Sequence, residues 1–138
     1  MEKDFEILNH TADVGIIAYG SNMNEAFANA ARGMFSLITE LDDIEEIAKR
    51  DIELTADDRE SLLVAWLNEL IYLFDVDNII FKRFDIIELN NTHLKATGCG
   101  NKVDLSRHRL KMGIKAATYH MLKIDQGKES RVQVLFDI

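Results

Sequence analysis

The sequence contains no proline and only one cysteine, Cys99. Without proline there is no obvious linker between domains, and a lone cysteine cannot form an internal disulfide, which fits a reducing cytoplasm. No apolar run approaches the roughly 20 residues that cross a membrane. The first residues also lack the basic and apolar regions of a signal peptide. We therefore expect a single domain over residues 1–138, located in the cytoplasm and not in a membrane.

Basic residues are scarce, with 16 Lys and Arg against 24 Asp and Glu and a net charge of −8. Broad non-specific binding to nucleic acid depends on Lys and Arg neutralising phosphates, so this balance argues against it. The chain is 47% apolar and 29% charged, which is typical of a globular and not a disordered protein. Its length is sufficient to bury a sizeable core.

Hydrophobic periodicity predicts an amphipathic helix at about 22–40. A second helix at about 58–74 has a wide apolar surface, which indicates a central, buried position. Asn22 and Asp57 are the predicted N-caps. Alternating or apolar runs predict seven strands, and a glycine-containing basic stretch predicts a long loop at 99–113. These elements indicate an α+β domain in which two helices pack on a mostly antiparallel β-sheet. The predicted strands are 4–9, 14–19, 51–55, 79–89, 93–98, 114–124 and 131–137.

Polar residues interrupt two apolar runs at 9–15, where the sequence reads Asn-His-Thr-Ala-Asp-Val-Gly. A connection between two strands can hold such side chains rigidly and leave them open to a ligand. At the other end, an ordered last strand would fix the Asp137 carboxylate and the main-chain oxygens of Ile138. With Asp13 they could form an oxygen-rich site, suited to Ca²⁺, Mg²⁺ or Mn²⁺ more than to Zn²⁺. The alternative is that Asp13 only caps a turn and the end of the chain is free.

The basic residues are concentrated between positions 102 and 115. They could contact phosphate groups or an acidic protein surface, and the alternative is a solvated loop. The residues are Lys102, Arg107, Arg109, Lys111 and Lys115.

The four histidines show no spacing that suggests a zinc site. His10 could be a metal ligand or a structural group that bonds across its connection, and His93 and His108 are expected to face solvent. Cys99 is expected to be a small packed residue and not a nucleophile. The sequence contains no phosphate-binding glycine loop and no serine-elbow motif, so an independent GTPase or hydrolase is not supported.

Four segments together resemble the archease family: 9–15, the helix at 58–70, the segment Ile-Lys-Ala-Ala-Thr-Tyr-His at 114–120, and Phe-Asp-Ile at 136–138. They occur in the family's order and span nearly the whole chain. The resemblance implies an accessory protein, not an enzyme, that assists the RtcB-type RNA ligase in tRNA splicing and RNA repair. Archeases promote GTP-dependent guanylylation of that ligase and its multiple turnover.

The resemblance also implies a divalent-cation site formed by Asp13, Asp137 and Ile138, with Ca²⁺ expected in a structure and Mn²⁺ or Mg²⁺ as alternatives in function. Lys115, Arg107 and His10 are candidates for contacts with the partner or with phosphate. Two positions depart from the family pattern, because Gly113 replaces an acidic residue and Arg107 replaces a lysine. The family's fold is similar to that of a zinc-switch heat-shock chaperone, which makes a chaperone-like binding module the alternative function.

Overall fold

The computed structural model describes residues 3–9 and 13–138. Within them, seven strands and two α-helices form an α+β fold, as predicted. A short 3₁₀ turn, Leu41–Asp43, follows the first helix. In chain order the elements are β1 Phe5–Asn9, β2 Val14–Gly20, α1 Met23–Ile38, β3 Ala48–Thr55, α2 Arg59–Asp77, β4 Ile79–Leu89, β5 His93–Lys102, β6 Ala116–Gln126 and β7 Ser130–Asp137.

The strands form two antiparallel sheets and not one. The four-stranded sheet has the order β1-β2-β7-β6, and the three-stranded sheet has the order β3-β5-β4. Helix α1 packs against strands of both sheets, and α2 packs most extensively on β6. The helices therefore join the two sheets around one hydrophobic core.

Aromatic rings fill the centre of that core. Trp66 of α2 is fully buried, and its indole N–H donates to the carbonyl of Phe27 in α1 at 3.0 Å. Phe84 of β4 lies 5.4 Å from Trp66 and 6.2 Å from Phe35, measured between ring centroids. Burying such side chains supplies most of the driving force for folding, and the indole hydrogen bond fixes how the two helices meet.

Both helices begin at capping side chains. Asn22 accepts the Glu25 N–H at 2.8 Å, as predicted. The N-cap of α2 was predicted one residue too early. Asp58, and not Asp57, accepts the Ser61 N–H at 2.8 Å. At the other end of α2, Asn78 adopts a left-handed conformation with φ of 55°, which Asn tolerates better than most residues.

Strand β5 continues to Lys102, although 99–113 was predicted to be a loop. Gly98 at the end of the predicted strand and Gly100 inside the predicted loop allow close contact between strands instead. A Cβ at Gly100 would lie 1.8 Å from the Ile80 carbonyl oxygen, and one at Gly98 would lie 2.7 Å from the Phe81 ring. Only glycine lets β4 and its aromatic residues approach β5 this closely. The loop itself is therefore confined to 103–115.

Neither helix of the described ranges is long and apolar enough to cross a membrane.

Candidate metal and partner site

The two acidic positions predicted to hold a cation lie at the same end of the four-stranded sheet. Strands β2 and β7 are antiparallel neighbours, and Val14 is paired with Phe136. Continuing this register by one residue brings Asp13 opposite Asp137. Directly opposed residues in an antiparallel pair have Cα atoms about 4.5–5.5 Å apart and point to the same face of the sheet. The fold thus joins the two ends of the sequence.

The main chain around Asp137 is held from both sides. Its carbonyl accepts the Lys115 N–H at 2.8 Å, and Ala116 of β6 is its register partner. On the β2 side, a Cβ at Gly15 would lie 2.4 Å from a Leu135 methyl carbon, so the glycine permits a close approach of β2 and β7. This gives a structural reason for the glycine in the 9–15 stretch. The site therefore stands on ordered strands and not on a free tail.

Exposure differs between the acidic groups. Asp13 is half-buried and its Oδ1 atom is inaccessible to solvent. Asp137 and Ile138 are exposed, with Ile138 retaining 48% of its accessible surface. Two carboxylates and a main-chain oxygen are hard ligands that suit a divalent cation of the Ca²⁺, Mg²⁺ or Mn²⁺ type. One lone pair of the Asp137 carbonyl is used by Lys115, and its other lone pair leaves the group able to bind a cation.

The donor set is small. Within residues 3–9 and 13–138 no three His, Cys, Asp or Glu side chains are grouped so that they alone could hold a metal ion. A cation bound by Asp13, Asp137 and Ile138 would therefore keep positions for water or for ligands from another protein. Metal binding here stays a prediction. His10, the other candidate ligand or contact, lies outside the described residues.

The basic residues of the loop are largely engaged within the protein. Arg107 forms an ion pair with Glu45, and Lys111 pairs with Glu40 at 2.9 Å. Lys102 belongs to β5 and donates to the Asp77 carbonyl at 2.7 Å. Lys115 differs from these, because its main chain is bonded to Asp137 and its side chain is exposed. Of the predicted contact residues, Lys115 is the one that the structure places beside the acidic pair.

Two other predictions about ionisable residues have clear outcomes. His108 was expected to face solvent, but it is only 2% exposed, so that prediction was wrong. Its Nδ1 atom accepts the Asp104 N–H at 3.0 Å, which makes the ring part of the loop's internal structure. Cys99 is buried, as expected, and the Arg83 guanidinium donates to its sulfur at 3.3 Å.

Two features of this region were not predicted from the sequence. They are a hydrogen bond from β6 to Asn68 and an interruption in the pairing of β6 with β7. The Asn68 side chain in α2 accepts the Ala117 N–H at 2.8 Å and so fixes β6 just beyond Lys115. The pairing of β6 with β7 is then interrupted between Thr118 and Lys123, where Met121 has a φ of 55° and its carbonyl accepts from Gln133. The available signal was the polar pair Asn68-Glu69, which interrupts the apolar stretch of α2.

Comparison with known proteins decides the family. The model of the Archease protein family matches residues 5–138. Protein archease from Methanosarcina barkeri is 42% identical over 99% of this chain and 97% of its own length. Protein archease from Sulfolobus acidocaldarius is 40% identical over 89% of both chains. The chain belongs to the archease family.

Solved structures agree with this assignment. The solution structure of Methanobacterium thermoautotrophicum protein 1598 matches with a TM-score of 0.83 and 34% identity, covering 98% of this chain and 99% of the other. A Thermotoga maritima archease, described as a possible chaperone, matches with a TM-score of 0.61 and 20% identity over 100% and 98% of the two chains. The second match supports the fold alone. None of these names describes an enzyme.

Proposed function

We propose that this archease-family protein is an accessory factor of an RtcB-type RNA ligase, which joins RNA ends in tRNA splicing and repair. It promotes the GTP-dependent guanylylation of that ligase and its multiple turnover. The observation that supports the proposal most strongly is the β2–β7 register, in which Val14 and Phe136, the neighbours of Asp13 and Asp137, are paired at the end of the sheet. Membership of the archease family supports it independently.

The residues at this end of the four-stranded sheet would form a preorganised cation-binding site. Asp13 and Asp137, with a main-chain oxygen of Ile138, hold a divalent cation, and the Lys115 N–H and Asn68 keep β6 and β7 in place beneath it. When bound, the cation supplies positive charge that oxygen atoms of the partner can share. The exposed Lys115 ammonium adds a group that can pair with phosphate or with a partner carboxylate.

The test is single-turnover guanylylation of the RtcB-type ligase from the same organism, with GTP and Mn²⁺, in the presence and absence of this protein. The rate should rise when the wild-type protein is added. Asp13→Ala and Asp137→Ala should each abolish the increase while their thermal unfolding stays close to that of the wild type. Asp57→Ala removes an exposed carboxylate elsewhere and is the matched control. No acceleration by well-folded wild-type protein would overturn the proposal.

A chaperone-like binding module is the second candidate. It is motivated by exposed apolar side chains such as Tyr119, 59% exposed, and Ile47, 68% exposed. This activity would appear as suppressed aggregation of an unrelated client protein. It would not depend on Asp13, so the Asp13→Ala variant separates the two functions.

A further inference from the structure

We propose that a groove between the last turn of α2 and the turn at Leu105 binds an apolar segment of the partner ligase that carries a Lys or Arg side chain. The proposal rests on the proposed function, since the partner is the same ligase. The groove is formed by the end of α2 and the loop that follows β5, whereas the acidic pair Asp13 and Asp137 lies at the ends of β2 and β7. Contacts in the groove would determine the affinity for the ligase, and the acidic pair at the end of the sheet would stimulate its guanylylation.

The groove has a volume of about 460 Å³ and an apolar floor. Phe74 and Val103 lie in it half-buried, and Leu105 and Leu110 are 75% and 42% exposed. Leu105 is the most exposed large hydrophobic side chain in the described part of the protein. Exposed leucines beside a concave apolar surface are typical of a protein-binding site.

Leu105 is presented by a rigid turn. The Asp104 carboxylate accepts from the Ser106 N–H at 3.0 Å and from its hydroxyl at 2.6 Å. The Asp104 carbonyl accepts the N–H groups of Arg107 and His108, and the buried His108 ring bonds back to the Asp104 N–H. These hydrogen bonds fix the backbone on either side of Leu105, so the turn presents this side chain to solvent. A backbone that is already ordered loses little entropy on binding.

The turn is anchored to the rest of the protein at both ends. Val103 donates its N–H to the Asn78 carbonyl at 2.7 Å, just after α2. At the far end, Lys111 donates to the Ile38 carbonyl at 2.7 Å and the Thr39 hydroxyl donates to the Arg109 carbonyl at the same distance. Both walls of the groove are therefore already in place before a partner arrives.

The charge at the rim indicates a cationic occupant. The groove lies at the C-terminal, negative end of α2, whose last turn contains Asp75 and Asp77 and no basic residue. Asp77 is paired with Arg50 at 2.7 Å, and Lys102 is bonded to the Asp77 carbonyl. Asp75 is exposed and forms no ion pair with any described residue. Since Lys102 already bonds to the helix terminus, the open Asp75 carboxylate is the group that favours a Lys or Arg beside the apolar side chains that enter the groove.

The experiment measures guanylylation of the RtcB-type ligase across a titration of this protein, for the wild type, Leu105→Asp, Asp75→Lys and Ile87→Asp. Leu105→Asp should raise the half-saturating concentration about tenfold or more, and Asp75→Lys about threefold or more, with the maximal rate unchanged. Ile87, 60% exposed on β4, is the matched control and should leave the curve unchanged. Thermal unfolding of each variant checks that the fold is retained.

Unchanged half-saturation for both groove variants would overturn the docking proposal and leave the proposed function standing. If the wild type does not accelerate guanylylation, the same four proteins are tested for direct binding to immobilised ligase by biolayer interferometry. Weaker binding of the groove variants then supports the groove, and no binding by the wild type overturns both proposals. Self-association of the wild type that Leu105→Asp abolishes would also overturn the proposal, because a second copy of the chain would be the occupant.

Discussion

His93 is a residue whose charge is coupled directly to its neighbours. In the three-stranded sheet its Nε2 atom lies 2.6 Å from a Glu53 carboxylate oxygen, and its Nδ1 atom lies 2.9 Å from one of Glu88. An imidazolium can donate from both ring nitrogens, so this arrangement favours the protonated form. The hydrogen bond to Glu53, followed by that to Glu88, raises the pKa of His93 above its ordinary value.

This arrangement predicts a pH-dependent contribution of His93 to stability. Because its pKa is higher in the folded than in the unfolded chain, the contribution is complete below about pH 6.5 and is lost as the pH rises through the raised folded-state value. Urea unfolding of the wild type and His93→Gln should therefore show a larger difference in midpoint at about pH 6 than at about pH 9. Glu53→Gln should reduce this pH dependence. An equal midpoint difference at both pH values would contradict the assignment.

The burial of His108 is a feature of a single residue that the sequence did not indicate. His108 stands in a polar stretch with basic residues on either side, which is typical of a solvent-facing position. Its burial results from the loop folding against the end of α1, through hydrogen bonds between Lys111 and Ile38 and between Thr39 and Arg109. Contacts between residues that distant in sequence leave no local pattern.

Among the elements, local patterns predicted both helices and all seven strands of the described residues. A periodic apolar face indicated α1, a broad apolar surface indicated α2, and alternating or continuous apolar runs indicated the strands. The division into two sheets was not predicted. Alternation shows which face of a strand is buried but not which strand is its neighbour. The acidic ends were proposed from residue type, and only the register of β2 with β7 shows that their backbones meet.

Helix α2 offers a sharp test at this scale, since two consecutive aspartates precede it. In a capping box, the Asp58 carboxylate accepts the Ser61 N–H and the Ser61 hydroxyl oxygen accepts the Asp58 N–H. The hydrogen bonds that the Ser61 N–H and hydroxyl donate to the Asp58 carboxylate lower its pKa. Asp58→Ala should lower the melting temperature by roughly 3–6 °C, whereas Asp57→Ala should leave it within about 1 °C of the wild type. Circular dichroism melts at neutral pH measure both. Equal losses in the two variants would show that the cap is misplaced.

For the whole molecule, a cation that joins Asp13 and Asp137 would tie the start of β2 to the end of β7 and so stabilise the entire fold. At a free concentration about 100 times Kd, binding to the folded state alone adds about 2.7 kcal/mol. Millimolar CaCl₂ should raise the melting temperature of the wild type by several degrees, and of Asp57→Asn equally. Asp13→Asn should show no rise.

Ionic strength is kept constant with NaCl in this measurement, because added salt also screens the net charge of −8. If CaCl₂ raises the melting temperature of Asp13→Asn as much as that of the wild type, the cation binds at a different site. This readout needs no ligase, so it tests the cation site separately from the proposed partner.

The position of β7 between β2 and β6 also affects how the protein is made. During translation β2 leaves the ribosome early, but its neighbour β7 is the last element of the described chain to emerge. Until then the nascent β1–β2 hairpin has an open strand edge that can pair with other chains. Sheets closed by such distant segments form slowly. Newly synthesised copies should therefore be most vulnerable to aggregation in the interval before β7 is available to pair with β2.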